Sequence, residues 1–570
     1  ISEIYRFGED FCVEFDQYWS VNEQKIFTKF SGKIIIDDSG DKPGECVEKT
    51  EIESLNDNID NDNISRLIDF NHLKYIDGSV YDRKLVPAMP CISQSRKLNF
   101  DFFRVNSKYG IFVRSDRLNQ ISIKIIDSNG YDEHNGLGYI NCPNEINCFA
   151  LDPFDTDCLS IGLNDGIIQH YTLSSSFYND LIDSNTIDMI MLEQPDFELN
   201  AITDDMNTCH HTSITSIQYH PMAKHILATS IDQFILIWDL EKRSRQQIIN
   251  CNDSIRMIQW NRFINGCIYI AAFSEKFLMV KDVGQSCQTT SDNDNSMVIK
   301  FPNRILPNRL CWALNDNILL VTAKETSNRK ILFYSFNKNE LQYLFMHDMS
   351  SLPSFLVPYF DEDTRILYLS GRGENTVHFI CLEFNPKSPS IDERLQIKPL
   401  ESYRFPSNHL AIDFLPRTQC CVRNCEIAIG IRMFTNGFEK FRYRVPRNHP
   451  EYFHDEIYPP TADYSKPLFT SEQWLNQLGK NREQLSMAKY PLINLKPDDM
   501  IPYSKMREKF QEEQQQKRRQ NILSNRNANN SHDGLPANFC QYFAHVDVEP
   551  LEISNHHDDD CEGVDPSEWV

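Results

Sequence analysis

One stretch, His211–Leu240, constrains the fold of this chain more than any other. It holds three short apolar runs of strand length, separated by a His-Pro turn and a turn at Asp232, and it closes on Trp238-Asp239. Short strands with tight turns that end in a Trp-Asp pair are typical of one blade of a β-propeller. The alternative is a pair of generic hairpins with a chance Trp-Asp pair. It is disfavoured because His211, Asp232 and Trp238-Asp239 all stand at the positions that a blade requires. Since buried polar groups need partners, a hydrogen-bonded blade network is predicted. Its predicted members are His211, Ser230, Asp232 and Trp238.

The same pattern recurs along the chain, which indicates a repeat protein. Residues 146–171 repeat it, with Asp152-Pro153 at the His-Pro position and Asp165 at the turn. With weaker copies included, the candidate units are 102–126, 146–171, 211–240, 258–282, 310–336, 354–383 and 403–433. Seven blades of roughly 40–45 residues need about 280–315 residues, which the span 70–433 accommodates together with loops. We therefore predict an all-β fold, a seven-bladed WD-repeat β-propeller, whose closed ring leaves no long sheet edge exposed.

The sequence outside the repeats changes character at several points. A stretch rich in Asp, Asn and Glu predicts a flexible linker before the propeller. Prolines and aromatic residues without periodicity predict an extension that packs on the propeller after it. A mixed-charge segment without an a/d heptad predicts a helix that forms no coiled coil, and hence a monomer. The predicted domains are a remnant of an upstream unit at 1–36, the acidic flexible linker at 37–69, the propeller at 70–433, the extension at 434–503, a charged helix and linker at 504–535 and a disordered acidic tail at 536–570.

Charge and motifs argue against several classes of protein. The net charge of −24 argues against nucleic acid as a partner, and no apolar run is long enough for a transmembrane span. The sequence shows no Gly-rich phosphate loop, no paired metal-binding histidines and no nucleophile elbow, so we predict no enzyme, no cofactor and no metal site. The cluster of Cys420, Cys421 and Cys425 leaves metal ligation open. Reduced thiols in a cytosolic protein are the favoured interpretation, because no second cluster accompanies it.

Segments of the sixth unit and of the extension resemble a known family. The sixth unit contains Pro358–Thr364 (PYFDEDT) followed by Tyr368–Glu374 (YLSGRGE), and the extension contains Phe453–Ala462 (FHDEIYPPTA). These segments closely resemble the coronin family, and the resemblance covers roughly residues 70–500. Short coronins end in a coiled coil, whereas this chain ends in an acidic tail that contains a tryptophan, as the long tandem-propeller coronins do. The chain is therefore identified as the C-terminal propeller half of a long coronin, and Trp19 with the acidic linker resembles the end of an upstream unit.

The resemblance implies an actin-cytoskeleton regulator in the cytoplasm, because coronins bind actin filaments and modulate the complex that branches them. A surface complementary to acidic actin requires basic side chains. The candidates near the start of the propeller are Lys74, Arg83, Lys84, Arg96 and Lys97. The tail resembles acidic ends that dock on the actin-branching (actin-related protein) complex, and a tryptophan is a frequent interface anchor. The matching residues are Asp558, Asp559, Asp560, Glu562, Asp565, Glu568 and Trp569.

An alternative function remains open from the sequence. The chain is then a WD-repeat scaffold or adaptor in Golgi or vesicle trafficking that does not bind filaments directly, since a fold alone does not determine its partners. The long coronins that the chain resembles are associated with Golgi traffic as well as with actin. A Golgi-associated location is therefore the second expectation.

Overall fold

The structure is a computed structural model that contains two compact units, Ile1–Asn61 with Glu512–Val570, and Asp62–Gln511. Both units include residues that the structure describes and residues that it does not. The described residues are 4–7, 10–21, 24–33, 70–73, 75–85, 101–114, 117–126, 137–183, 189–192, 194–202, 211–284, 297–337, 340–352, 354–385, 388, 394–434 and 437–529.

The first unit contains a three-stranded antiparallel sheet. Its strands are β1 (Ile4–Phe7), β2 (Asp10–Val21) and β3 (Gln24–Lys33), in the order β1-β2-β3. Along most of β2, apolar and polar residues alternate with the period of two that favours a strand. The sheet lies within residues 1–36, whose origin in an upstream unit stays a prediction.

Among its described residues, the amino-terminal half of the second unit starts with a 3₁₀ turn at Phe70–Leu73 and includes one helix, α1 (Ser175–Asp183). Its strands are, in chain order, β4 (Asp77–Leu85), β5 (Phe103–Val105), β6 (Tyr109–Val113), β7 (Gln120–Ile125), β8 (Leu137–Asn141), β9 (Ile146–Leu151), β10 (Cys158–Leu163), β11 (Ile167–Thr172), β12 (Met189–Leu192), β13 (Phe197–Asn200), β14 (Ile214–Tyr219), β15 (Ile226–Ile231), β16 (Phe234–Asp239) and β17 (Ser244–Asn250).

The carboxyl-terminal half continues the same succession of short strands. They are β18 (Met257–Trp260), β19 (Tyr269–Phe273), β20 (Phe277–Asp282), β21 (Met297–Lys300), β22 (Ile305–Ala313), β23 (Ile318–Glu325), β24 (Asn328–Asn337), β25 (Glu340–Ser351), β26 (Leu356–Asp361), β27 (Ile366–Gly371), β28 (Thr376–Phe384), β29 (Leu395–Pro399), β30 (Tyr403–Arg404), β31 (Ala411–Phe414), β32 (Glu426–Phe434) and β33 (Gly437–Arg444).

After β33 come a two-stranded ribbon, two short helices and one long helix. They are β34 (Thr461–Ala462), α2 (Ser471–Lys480), α3 (Arg482–Ser486), β35 (Leu492–Ile493) and α4 (Tyr503–Asn529). Helix α4 coincides with the predicted charged helix, and its side chains from Arg507 to Leu523 are all exposed. Among the described residues, no helix combines the length and the apolar character needed to span a membrane.

The strands of the second unit build seven sheets that form the blades of a propeller. The sheets are β12-β8-β7-β6-β5 (blade 1), β13-β11-β10-β9 (blade 2), β14-β15-β16-β17 (blade 3), β18-β19-β20-β21 (blade 4), β22-β23-β24-β25 (blade 5), β26-β27-β28-β29 with β30 beside β28 (blade 6) and β31-β32-β33-β4 (blade 7). The first strands of adjacent blades contact each other, as β14 does with β9 and β18, so these strands line the axis. The predicted seven-bladed propeller is confirmed.

Blade 7 closes the ring with a strand from the other end of the domain. Strand β4 pairs antiparallel with β33, with Leu85 opposite Gly437 and Asp77 opposite Arg444. Arg444 Nη2 also lies 2.8 Å from Asp77 Oδ2. The pairing covers the edge of β33, which would otherwise present unpaired backbone groups to solvent. The predicted domain boundary at residue 433 falls near the end of β32, the second strand of this blade, so the third strand β33 lies beyond it.

The blades bury both of their faces, which explains why the middle strands are apolar without alternation. Strand β15 is buried along its whole length. Leu227 and Ile231 pack in a cluster with side chains of blade 2, whereas Ile226 and Ala228 pack in a cluster with side chains of blade 4. A strand that packs against neighbours on both faces is favoured by a continuous apolar run.

Candidate interaction faces of the propeller

The antiparallel order of the strands gives the propeller two distinct faces. The turns between first and second strands, and between third and fourth strands, lie on one face. The turns between second and third strands lie on the other face, together with the connections from blade to blade. We call the first the extension face, because segment 445–502 packs against it, and the second the opposite face.

The extension joins the extension face through backbone hydrogen bonds at blade 3. The Leu468 N–H donates to Met222 O at 2.8 Å, and the Lys224 N–H donates to Phe469 O at 3.0 Å. Ala223 and Phe469 form an isolated parallel bridge between these two bonds. The extension therefore continues the hydrogen bonding of the propeller, as the predicted packing of this segment requires.

Helix α2 presents one face to the propeller. It begins with a capping box, in which Thr470 Oγ1 accepts the Gln473 N–H at 3.2 Å and Gln473 Oε1 accepts the Thr470 N–H at 3.0 Å. This motif satisfies two backbone donors that a helix start leaves without partners. Trp474 and Leu478, one turn apart on the same side, are buried. The cap thus fixes where the helix starts and which residues face inward.

Trp474 anchors the extension in an aromatic cluster. Its ring centroid lies 4.5 Å from that of His220 and 5.9 Å from that of Trp260, and its side chain is fully buried. The indole N–H donates to Gly266 O at 3.0 Å. Gly266 has a φ of 63°, and a Cβ there would come within 2.9 Å of Leu485. Only glycine fits at this position without strain.

His220, the histidine of the predicted His-Pro turn, is a structural residue of this cluster. Its Nδ1 accepts the backbone N–H groups of Met222 at 3.1 Å and Ala223 at 2.8 Å. The proton therefore resides on Nε2, which donates to Cys267 O at 3.1 Å. Burial lowers the pKa of His220 to about 3. The imidazole stays neutral at physiological pH and orders the turn on which the extension rests.

Arg417 joins blade 6, blade 7 and the extension. Its guanidinium lies 2.8 Å from Asp361 Oδ2 and 3.4 Å from Asp363 Oδ2, and it donates to Ile457 O at 2.8 Å. Thr461 donates its hydroxyl hydrogen to Asp363. Burial would lower the pKa of Arg417, but the two aspartates outweigh it and raise the pKa. Two of the segments that resemble coronins, 358–364 and 453–462, therefore meet at this guanidinium.

The first strands carry a charged cluster at the axis. Arg309 Nε donates to Asp101 Oδ1 at 2.8 Å, and Arg104 Nη2 donates to Asp101 Oδ2 at 2.6 Å. Asp413 Oδ2 accepts the Val105 N–H at 2.9 Å. Burial would raise the pKa of Asp101, but Arg309 and Arg104 overcome it and hold the pKa at about 2. The cluster therefore connects blades 5, 1 and 7 across the axis.

On the opposite face, a buried arginine connects blades 5 and 6. Arg329 is fully buried, its Nη1 donates to Glu374 Oε1 at 2.6 Å, and its Nε donates to Ser350 O at 3.2 Å. Nearby, Lys324 Nζ lies 4.3 Å from the centroid of the Phe355 ring, a cation–π distance. These bonds hold the connection between the two blades in place.

Exposed basic side chains stand at the opposite-face end of blade 4. Arg256, Lys276 and Arg304 are exposed there, beside the exposed carboxylate of Glu275, which forms an ion pair with Arg256. The Phe301 N–H donates to Lys276 O at 2.8 Å, so the connection that carries Arg304 runs next to the turn that carries Lys276. We call Arg256, Lys276 and Arg304 the blade 4 basic patch.

In blade 3, the hydrogen bond of Trp238 has a different partner from the one that the sequence pattern predicts. Trp238 Nε1–H donates to Thr229 Oγ1 at 2.9 Å, and Ser230 instead hydrogen-bonds Thr215 Oγ1 at 2.7 Å. The cause is strand alternation, because Trp238 is paired with Leu227, and Thr229 lies on the same side of β15 as Leu227 whereas Ser230 does not. Thr229 thus takes the place predicted for Ser230.

The other two predicted members lie at the opposite-face end of blade 3. Asp232 is buried and has a φ of 48°, in the left-handed region that aspartate tolerates in turns. His211 precedes β14 and is exposed. The predicted participation of His211 and Asp232 in the network with Trp238 stays a prediction.

Most of the predicted binding residues fall outside the described residues. Lys74, Arg96 and Lys97 lie there, and so does the acidic motif of Asp558, Asp559, Asp560, Glu562, Asp565, Glu568 and Trp569. The backbones of Arg83 and Lys84 lie in β4, opposite Glu439 and Phe438 of β33. Both sets stay predictions.

Sequence reasoning did not single out Arg417, Arg329 or Arg309 as connecting residues. An isolated arginine carries no local pattern, and its partners here lie on other elements, so nothing in the sequence marks it. Within the cysteine cluster, burial raises the pKa of Cys420 to about 12 and that of Cys425 to about 11, so both thiols keep their protons at neutral pH. No group of metal-ligating side chains occurs within the described ranges.

Comparison with known proteins connects this architecture to one family of relatives. A family model described as a type of WD40 repeat matches residues 439–484. Human Coronin-7 is 25% identical over 358 residues, which cover 62% of this chain and 34% of that protein. Coronin-A of Dictyostelium discoideum is 26% identical over 237 residues, 42% of this chain and 48% of that protein. The chain thus spans about a third of Coronin-7 and about half of Coronin-A.

A solved structure shows the same fold. The crystal structure of the WD40 domain of Toxoplasma gondii coronin superimposes with a TM-score of 0.57 at 16% sequence identity. The superposition covers 74% of this chain and 98% of that domain.

Proposed function

Because the chain is homologous to Coronin-7 and other coronins, we propose that it regulates the actin cytoskeleton. Its propeller binds actin filaments, and its acidic tail docks on the actin-branching complex. The homology over more than half of the chain, together with the seven-bladed propeller, is the observation that carries this proposal. The protein then acts in the cytoplasm at the cytoskeleton, as a binding protein rather than an enzyme.

The two faces of the propeller suggest where a filament binds. On the extension face, blades 3, 4, 6 and 7 hold residues 445–502, so a partner there competes with the extension. The opposite face carries the blade 4 basic patch, whose charge is complementary to acidic actin. We include this patch in the filament-binding surface, together with the sequence-based candidates Lys74, Arg83, Lys84, Arg96 and Lys97.

Co-sedimentation with actin filaments at low and moderate salt tests the propeller. We expect the chain to pellet with filaments, less at moderate salt because exposed charges are screened. Reversing the patch with Arg256→Glu, Lys276→Glu and Arg304→Glu is expected to weaken binding strongly. The matched control, Lys466→Glu, Lys480→Glu and Lys505→Glu, changes the charge equally at exposed residues outside that face and is expected to bind as the parent does.

Three outcomes are distinguishable in this assay. If the chain stays in the supernatant at both salt concentrations, direct filament binding is refuted, and the adaptor function in Golgi or vesicle trafficking takes its place. If both triple variants lose binding equally, binding depends on the net charge of the chain and not on the blade 4 basic patch. If neither loses binding, the surface lies elsewhere on the propeller.

The tail is tested separately from the propeller. A peptide of residues 536–570 is expected to retain the actin-branching complex in a pulldown, and the Trp569→Ala peptide is expected to retain much less. Burying a large aromatic side chain contributes roughly 2–3 kcal/mol, so its removal should weaken binding by at least an order of magnitude. Equal retention by both peptides would remove the tryptophan from the docking motif.

A further inference from the structure

A buried histidine of the extension makes two hydrogen bonds to atoms that can only accept. His454 is 2% exposed, its Nδ1 lies 2.9 Å from Glu456 Oε1, and its Nε2 lies 3.0 Å from His449 O. A carboxylate oxygen and a backbone carbonyl oxygen accept hydrogen bonds but do not donate them. Both ring nitrogens of His454 therefore carry hydrogen, and an imidazole with two N–H groups is the positively charged imidazolium.

Glu456 is ionised and supplies the opposite charge. Its Oε1 also lies 3.1 Å from Arg447 Nε. Burial would raise the pKa of Glu456, but His454 and Arg447 outweigh it and hold the pKa at about 2. At neutral pH Glu456 therefore has no hydrogen to donate, so the hydrogen between the two side chains belongs to His454. We call His454, Glu456 and Arg447 the junction ion cluster.

The junction ion cluster lies where the extension, the start of the propeller and helix α4 meet. Arg447 Nη2 donates to His72 O at 3.1 Å, in the 3₁₀ turn that precedes β4. The cluster therefore connects the first part of the extension to the segment that leads into the closing strand of the ring.

Helix α4 begins beside the same histidine. The Tyr503 N–H donates to Phe453 O at 2.7 Å. The Ser504 N–H donates to Asp455 Oδ1 at 3.1 Å. The ring centroid of Tyr503 lies 4.9 Å from that of His454. Both residues that flank His454 thus provide acceptors for the first turn of α4, whose N–H groups have no partner within the helix.

The ring of His454 has a single acidic partner. Among the described residues, Glu456 alone forms an ion pair with it. The exposed Glu451 lies 3.1 Å from the ring of His449 instead. Loss of the charge on His454 therefore removes one of the two cations that contact Glu456. The other titratable groups at this junction are Arg447, His449, Glu451 and Asp455 of the extension, Cys425 before β32 and Tyr503 of α4.

We propose that His454 is a pH-sensitive latch, which holds the extension and the start of α4 together at the propeller only while its ring is charged. When the imidazolium releases one proton to solvent, one ring nitrogen becomes an acceptor that faces another acceptor, and one of its two hydrogen bonds is lost. The folded chain favours the charged ring and the unfolded chain does not, so this stabilisation is present at low pH and is lost as the pH rises. Histidine ordinarily changes its charge between about pH 5 and about pH 8, so the latch responds within the physiological range.

Limited trypsin proteolysis of the full chain tests the latch, because the exposed Lys505 lies in the first turn of α4. The parent is compared at each pH with His454→Gln, which keeps a polar side chain but does not titrate, so that the pH dependence of the protease cancels. At about pH 6 we expect cleavage at Lys505 to be roughly tenfold slower in the parent, because hydrogen bonds to charged groups are strong. At about pH 8.5 the ring is neutral, and the two rates should agree within about twofold.

His449→Gln is the matched control, because it removes an exposed ring of the same segment and leaves the backbone carbonyl that His454 contacts in place. It should show the same pH dependence as the parent. The charge on the ring is measured directly by NMR of the chain labelled with ¹⁵N-histidine, in which the His454 signals are those missing from His454→Gln. We expect both ring nitrogens to carry hydrogen at about pH 6 and only one of them at about pH 8.5.

The proposal is overturned if the His454 ring is neutral at the lower pH, or if the parent and His454→Gln differ by the same factor at both pH values. The Tm of each variant is measured first. If His454→Gln fails to fold, Glu456→Gln takes its place, since it removes the charge that the imidazolium pairs with. A pH dependence in Glu456→Gln equal to that of the parent refutes the latch.

Discussion

Trp474 is the largest fully buried side chain of the extension among the described residues, and its removal gives a measurable prediction. The side chain is fully buried, and its indole N–H bonds Gly266 O at 3.0 Å. Truncating a buried Trp to Ala costs about 3–5 kcal/mol, because apolar contacts are lost and a cavity remains beside His220 and Trp260. We expect Trp474→Ala to lower the free energy of unfolding by this amount.

A second substitution separates packing from hydrogen bonding. Trp474→Phe keeps an aromatic ring against His220 but removes the N–H donor, so Gly266 O loses this partner. Leaving a buried polar group unsatisfied costs about 1–3 kcal/mol. The loss from Trp474→Phe should therefore be smaller than the loss from Trp474→Ala, and both should be well above the effect of Met487→Ala, an exposed residue of the same segment.

Urea denaturation followed by far-UV circular dichroism measures these losses, and limited trypsin proteolysis reports on the extension itself. Lys466 and Lys480 are exposed residues that flank the anchor. If Trp474 holds the extension, cleavage there should be faster in Trp474→Ala than in Met487→Ala. The reasoning is refuted if Trp474→Ala unfolds within about 0.5 kcal/mol of the control and is cleaved at the same rate.

Three further predictions follow from buried charge and ring closure. Replacing Arg417 by Met should lower the free energy of unfolding by about 3–5 kcal/mol, because it leaves the largely buried carboxylate of Asp361 without its cation. Urea denaturation measures this loss, and a value below about 1 kcal/mol would contradict the prediction. The pKa of Asp101 is lowered from 3.8 to about 2, so its stabilisation of about 2 kcal/mol is present above pH 4 and is lost as the pH falls through 2. Urea denaturation at a series of pH values between 5 and 2 should show this loss as a fall in the free energy of unfolding. In the Asp101→Asn variant the free energy of unfolding should depend less on pH over this range. Removing residues 1–85, including β4, exposes the edge of β33 and should lower Tm and promote aggregation, whereas removing residues 1–69 should have little effect on either; equal behaviour of the two truncations would contradict the closure.

Much of the fold was predictable because its signals are local. Each blade is recognisable from a stretch of a few tens of residues. The signals are the period of its strands, the His-Pro and Asp turns and the Trp-Asp pair. The seven units placed by these signals correspond to the seven sheets of the structure. Strand β4 was the exception, because a strand that completes a distant blade has no neighbouring strand in sequence to reveal it.

The candidate sites were predictable to a much smaller degree. The sequence placed Ser230 in the blade network, but alternation along β15 puts Thr229 beside Trp238. Phe453–Ala462 was recognised as part of the coronin resemblance, but its contact with Arg417 was not. A motif identifies residues that belong together in a family, whereas the identity of each partner depends on which side of a strand a residue occupies.

The sequence by itself determined that this chain forms a ring of seven short sheets followed by an aromatic extension, because those features depend on local periodicity and turn chemistry. Only the tertiary structure decided how the ring closes and how the extension docks, because the pairing of Asp77 with Arg444 and of Trp474 with Gly266 joins residues hundreds of positions apart. It also decided that Arg417 has partners on blade 6 and on the extension, because hydrogen bonding is set by the neighbours that folding brings to each side chain.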